Sequence, residues 1–149
     1  MTTFYPTLPY KKFDDGVPDP AYAHVGDAGI DLSVTEDYIL EPDEQRTFST
    51  GLAFAIPEGF AGLVVPRSGL GSQGLAIANT MGIIDSNYRG EVKLQLVNKG
   101  DEPLMLFAGN RVVQMLIVAV AQCEIIKVET LSDTERGTRG FGSSGTGRL

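Results

Sequence analysis

Asn110-Arg111-Val112-Val113-Gln114-Met115-Leu116-Ile117-Val118-Ala119-Val120-Ala121-Gln122-Cys123-Glu124-Ile125-Ile126-Lys127-Val128 opens the one long stretch without glycine or proline, which runs on to Arg136. Its β-branched side chains favour the pleated, half-buried surface of a strand over a helix. The stretch reads as two strands joined near Ala121 and Gln122. Working outward, Glu91-Val92-Lys93-Leu94-Gln95-Leu96 alternates polar and apolar residues, the period of a strand with one face in the core. Further short strands are expected at Gly29 to Val34, Gln45 to Phe48, Leu52 to Ile56, Ala61 to Val65, Leu75 to Ala78 and Leu104 to Phe107. Turn chemistry separates them, as in Glu41-Pro42-Asp43, Pro57-Glu58-Gly59 and Lys99-Gly100-Asp101. Many short strands at this spacing imply an all-β, antiparallel sandwich, jelly roll or small barrel, with at most one helical turn near Ser68 to Gln73.

The composition agrees. Glycine occupies 18 of 149 positions, well above a usual share of about 7%, which disfavours long helices. The length suits one domain that buries roughly two thirds of its unfolded surface. Twelve Lys and Arg against nineteen Asp and Glu give a net charge of −7, which argues against a nucleic-acid binder built on a broad basic face. The longest apolar run, Met115 to Ala121, has seven residues, far short of the ~20 of a membrane span. Met1 to Lys12 lacks the basic start and apolar core of a signal peptide, and lone Cys123 fits a reducing compartment. A soluble cytoplasmic protein is expected. The domain division expected is a β domain over 1–135 and a glycine-rich arm over 136–149. The arm, from Arg136 to Gly147, holds five glycines and one large apolar side chain, Phe141. It cannot order itself by burial, so it is either a frayed terminus or a segment ordered by something else.

Gly69-Leu70-Gly71-Ser72-Gln73-Gly74 matches the spacing of a dinucleotide-binding turn. That fingerprint also needs a long helix after it, and Leu75 to Gly82 is too short and soon broken. Arg139-Gly140-Phe141-Gly142 begins like an RNA-recognition signature, but Ser143 and Ser144 stand where aromatic and β-branched residues should follow.

Five blocks pair glycine with a charged or donor residue: Ala28-Gly29-Ile30-Asp31-Leu32, Pro66-Arg67-Ser68-Gly69-Leu70, Gly82-Ile83-Ile84-Asp85-Ser86-Asn87-Tyr88-Arg89-Gly90, Gly109-Asn110-Arg111-Val112-Val113-Gln114, and Arg136 to Gly145. In order and spacing they resemble the five motifs of the homotrimeric dUTP diphosphatases (dUTPases), from near Gly26 to Gly147. The resemblance implies a β-clip barrel that hydrolyses dUTP to dUMP and pyrophosphate with Mg²⁺, in a homotrimer whose active sites are shared between subunits.

It also implies a role for each block. Asp85 is the carboxylate that orients and deprotonates a water attacking the α-phosphate; read alone, it would better suit a turn-capping Asp. Tyr88 packs against the deoxyribose and leaves no room for a 2′-hydroxyl. Asn79 meets the uracil, and Ile83, Ile84 and Lys93 line the same pocket, partly through main chain. Arg67, Ser68 and Gly69 grip the phosphates, and Gln114 contacts phosphate or metal-bound water. Asp31 supports the metal through water or orders its neighbours, while Arg111 suits a structural ion pair. Mg²⁺ commonly keeps waters and phosphate ligands, which agrees with the lack of a His/Cys cluster in the sequence. In the arm, Arg136 meets the terminal phosphates, Phe141 stacks on uracil, and Gly142, Ser143 and Ser144 add donors.

The chain departs from the pattern at Arg139 for a frequent Gly, Asn87 for Asp, Asn110 for an acidic residue and Gly71 for Ala. Two rivals stand beside this reading, the first disfavoured by the Asp85 and Tyr88 turn and by the Phe141 arm. A dCTP deaminase has the same fold, and a catalytically silent trimeric nucleotide-binding or regulatory protein keeps the pocket without turnover.

Overall fold

The computed structural model describes residues 6–140. The strands are β1 (Tyr10–Lys12), β2 (Gly29–Ser33), β3 (Tyr38–Leu40), β4 (Gln45–Ser49), β5 (Leu52–Phe54), β6 (Phe60–Pro66), β7 (Leu75–Ile77), β8 (Gly82–Ile84), β9 (Lys93–Asn98), β10 (Leu104–Leu106) and β11 (Arg111–Ala119). The only helix among the described residues is a single turn, α1 (Ser68–Gly71). Every strand pairing in the described residues is antiparallel, and the architecture is all-β and jelly-roll-like.

One sheet has the order β2-β11-β6-β8 and another β4-β9-β7; two ribbons, β1-β5 and β10-β3, complete the fold. Their inner faces meet on a core that includes Leu32, Leu40, Phe48, Leu94, Leu96, Val112 and Met115, all fully buried. In β9 the alternation of exposed Lys93 and Gln95 with buried Leu94 and Leu96 is the expected strand period. The buried Asn98 at its end costs little, because its amide donates to the carbonyls of Leu40 (3.0 Å) and Glu102 (2.8 Å) and its side-chain oxygen accepts from the Gly100 N–H. Gly62 in β6 is a matter of space: a Cβ there would lie 2.9 Å from the Met115 sulfur and 3.0 Å from Ile56.

Two departures from the sequence reading matter for function. The strands β1, β3 and β8, three residues each, lie outside the expected set. The second strand expected between Ala121 and Arg136 does not form. Val120 still donates to Gly59, but from Ala121 to Gly140 the chain is exposed and has no strand partner among the described residues. Ile125 is 97% and Leu131 86% exposed. The β-branched composition favours a strand, but a strand needs another strand to bond with, and these residues meet none among the described residues.

Candidate active site

A β-bulge builds one half of the site. In β11, Arg111 pairs with Ser33 and Gln114 with Asp31, with a register shift between Arg111 and Val113. Residues three apart in a regular strand face opposite sides. The extra residue puts Arg111 and Gln114 on the same face, beside Asp31, while Val112 and Val113 both turn into the core. The Asp31 carboxylate, 10% exposed, is bracketed by two guanidiniums: Arg67 Nε at 3.0 Å and Arg111 Nη1 at 3.1 Å. Arg67 also reaches the Arg111 carbonyl, at 3.5 Å, and its own N–H donates to Val112. Charge-assisted bonds of this kind fix an arginine whose remaining donors face outward. Ser68 and Gly69, both exposed, follow at once in α1, and the Gly69 carbonyl accepts from Ser72 Oγ and Gln73 Nε2. The Gln114 side chain lies over Gly29, where a Cβ would come within 2.9 Å of Gln114 Cβ.

The other half grows from β8, the edge of its sheet. Gly62 and Val64 of β6 pair with Ile84 and Gly82, so one side of β8 has no strand partner among the described residues. Ile83 is 63% exposed on this edge. Asp85 follows directly, exposed, and its carbonyl accepts from the Tyr88 N–H at 3.1 Å to close the turn. Arg89, which the sequence reading left without a role, holds this turn by donating to the carbonyls of Ser86 (2.7 Å) and Tyr88 (2.8 Å). Its position next to Tyr88 was the signal. A groove of about 590 Å³ runs past Asp85, bounded by Glu58, Phe60, Asn87 and Arg89. Asn79 lies exposed in the preceding turn, next to Thr80, whose φ of 74° is unusual for a β-branched residue. Lys93 starts β9 opposite Ser49.

The structure therefore gathers the expected residues into two groups. Asp31, Arg67, Ser68, Gly69 and Gln114 sit where β6 ends, while Ile83, Ile84, Asp85 and Tyr88 run along β8 and its turn toward the start of β6; Asn79 precedes β8, whose Gly82 pairs with Val64, and Lys93 lies in the other sheet opposite Ser49. Asp85 lines a groove with Ala61, near the start of β6. Ala61 and Arg67 are six positions apart, about 20 Å of strand, so Asp85 and Arg67 lie at opposite ends of β6. Arg136 bonds within its own turn, to the carbonyls of Arg139 and Gly140. Phe141, Gly142, Ser143 and Ser144 lie outside the described residues.

No group of three or more His, Cys, Asp or Glu suited to holding a metal exists among the described residues. The oxygen donors near the arginines, Asp31 and Gln114, suit a hard cation approached through water more than a cation held directly by the protein.

Residues 15–145 match the family model for dUTPase. The chain is 45% identical over 140 residues to the deoxyuridine 5′-triphosphate nucleotidohydrolase of Nocardia farcinica, covering 93% of this chain and 85% of that protein. With the enzyme of the same name from Nautilia profundicola the identity is 46%, covering 93% and 98%. Among solved structures, the Staphylococcus bacteriophage 80alpha dUTPase with dUPNHPP superposes with a TM-score of 0.83 at 32% identity, over 93% of this chain and 98% of that one. The bulged arginine cluster, the edge strand ending in Asp85 and these likenesses along nearly the whole length lead to one assignment: the chain belongs to the dUTPase family.

Proposed function

We propose that the protein is a dUTP diphosphatase that hydrolyses dUTP to dUMP and pyrophosphate, limiting uracil in DNA and supplying dUMP. The observation that carries this reading is the free edge of β8 ending in Asp85. An edge strand offers backbone donors and acceptors side by side, the chemistry needed to read the polar edge of a pyrimidine without committing a side chain. Ile83 and Ile84 then act through their main chain, with Asn79 completing the contact. A wrong base leaves buried polar groups unpaired and is rejected for that reason.

Asp85, at the end of that strand, accepts a proton from the water that attacks the α-phosphate. Tyr88 covers the deoxyribose. Arg67 presents its outward donors to the phosphates, joined by Ser68 and the Gly69 backbone. Asp31 anchors Arg67 and, with Gln114, would hold Mg²⁺ through water. The ion, when bound, neutralises charge on the triphosphate. The arm 136–149 closes over the β domain 1–135, with Arg136 on the terminal phosphates, Phe141 on the uracil ring and Gly142, Ser143 and Ser144 adding donors; closure excludes bulk water.

A homotrimer joins the two groups of residues, the phosphate-gripping group of one subunit meeting the Asp85 turn of another. Two features support this: the span of about 20 Å between the groups, and the exposed Ile125, Ile126, Val128 and Leu131, which a second copy would cover. The cytoplasm is the expected compartment.

Incubation with each deoxynucleoside triphosphate and Mg²⁺ tests the proposal. Pyrophosphate released selectively from dUTP is the expected result. Ammonia from dCTP would make it a deaminase, no turnover a silent binder, and equal hydrolysis of dTTP would sink the pocket.

A further inference from the structure

Tyr88 has little packed around it: the residue is 45% exposed. Two contacts nevertheless hold its ring. The phenol hydroxyl donates to the Glu91 carbonyl at 3.0 Å. Glu91 is itself pinned, because its carboxylate accepts the Gly51 N–H at 2.8 Å. The next residue is tied down twice, by the Val92 N–H to Leu52 (2.8 Å) and by Thr50 Oγ1 to the Val92 carbonyl (2.7 Å).

The second contact is with the Cα of Gly90. A Cβ built there would stand 2.5 Å from the ring Cζ and 2.9 Å from Cε2, and closer still to the hydroxyl oxygen. Real Cβ atoms do not approach that closely, so any side chain at this position must move the ring. Gly90 does not have a positive φ, and its backbone would accept alanine without strain. The three atoms its Cβ would meet first all belong to Tyr88.

We infer that Gly90 is a positioning residue for sugar discrimination: the missing side chain lets the Tyr88 ring lie against the chain, where its face blocks a 2′-hydroxyl. This rests on the reading of Tyr88 as the residue that covers the deoxyribose. The Glu91 carbonyl sets the far end of the ring and Gly90 its depth. A methyl group at position 90 breaks the hydroxyl bond and swings the ring off the sugar, so a ribonucleotide is admitted.

The test compares kcat/KM for dUTP and UTP in the wild type, Gly90→Ala, Tyr88→Ala and the double variant. Both single variants should raise the UTP to dUTP ratio by on the order of tenfold, and adding Gly90→Ala to Tyr88→Ala should change it no further. A merely structural role would lower both substrates together and leave the ratio alone. A wild-type ratio in Gly90→Ala, with a raised ratio in Tyr88→Ala, overturns the inference and leaves the reading of Tyr88 standing. An unchanged ratio in Tyr88→Ala refutes that reading and the inference with it. Should Gly90→Ala fail to fold, the double variant decides. Folding restored by removing the ring supports the inference, and continued unfolding overturns it.

Discussion

A hybrid of two inactive variants gives the sharpest test of a site divided between subunits. Arg67→Ala removes the phosphate grip, and Asp85→Asn removes the base. Asp85 is exposed and the Arg67 side chain is 38% exposed, so both chains should fold. Each assembled alone should be nearly inactive. The register along β6 puts the two groups about 20 Å apart in one chain, whereas a base acting at the α-phosphate and an arginine gripping the phosphates must stand within a few ångströms of one molecule. If one subunit supplies Arg67 and another Asp85, random assembly of an equal mixture gives each partner about a one-half chance of being intact. About one quarter of sites should then carry both groups. If both came from a single chain, no hybrid would hold a complete site. The measurement is dUTP turnover after co-denaturation and refolding of the mixture, with native mass spectrometry to count hybrid trimers. Hybrids present but no more active than the parents would refute the divided site.

Three further outcomes are expected. Asp31→Asn removes the charge between Arg67 and Arg111; with both arginines partly exposed, the loss of stability should be only about 1–2 kcal/mol. kcat/KM should nonetheless fall on the order of tenfold, and activity unchanged within twofold would show that Arg67 needs no anchor. Asn98→Ala strands the Leu40 and Glu102 carbonyls and should cost about 3 kcal/mol in denaturant unfolding; a cost under about 0.5 kcal/mol would mean that water replaces the amide fully. The Tyr38 hydroxyl, then the Glu41 N–H, hold the Glu44 carboxyl below its ordinary value, about 4.3. The carboxylate therefore contributes stability above about pH 4.3 that is lost as the pH falls toward its depressed folded value. Glu44→Gln should flatten that acid limb of the melting-temperature profile, and an unchanged limb would discard the assignment.

The motif blocks in the sequence identify residue types and order, yet their grouping in space depends on features that leave no local trace. Arg111 and Gln114 share a face only because β11 bulges between Arg111 and Val113, and a run such as Arg-Val-Val-Gln reads equally well with or without a bulge. The strand pattern in β9 was legible because Leu94 and Leu96 alternate with polar neighbours, whereas β8 has three residues and no such period. Its importance lies in being an edge, which is a property of what pairs with it. The tail shows the same limit from the other side. Ile125, Ile126 and Val128 favour a strand by composition, yet none forms there among the described residues, because composition does not supply a pairing partner. Composition and turn chemistry therefore determine the class of fold, while register determines which residues form a site. Here register sets Asp85 and Arg67 at opposite ends of β6, and that separation is the ground on which the proposed sharing of a site between copies rests.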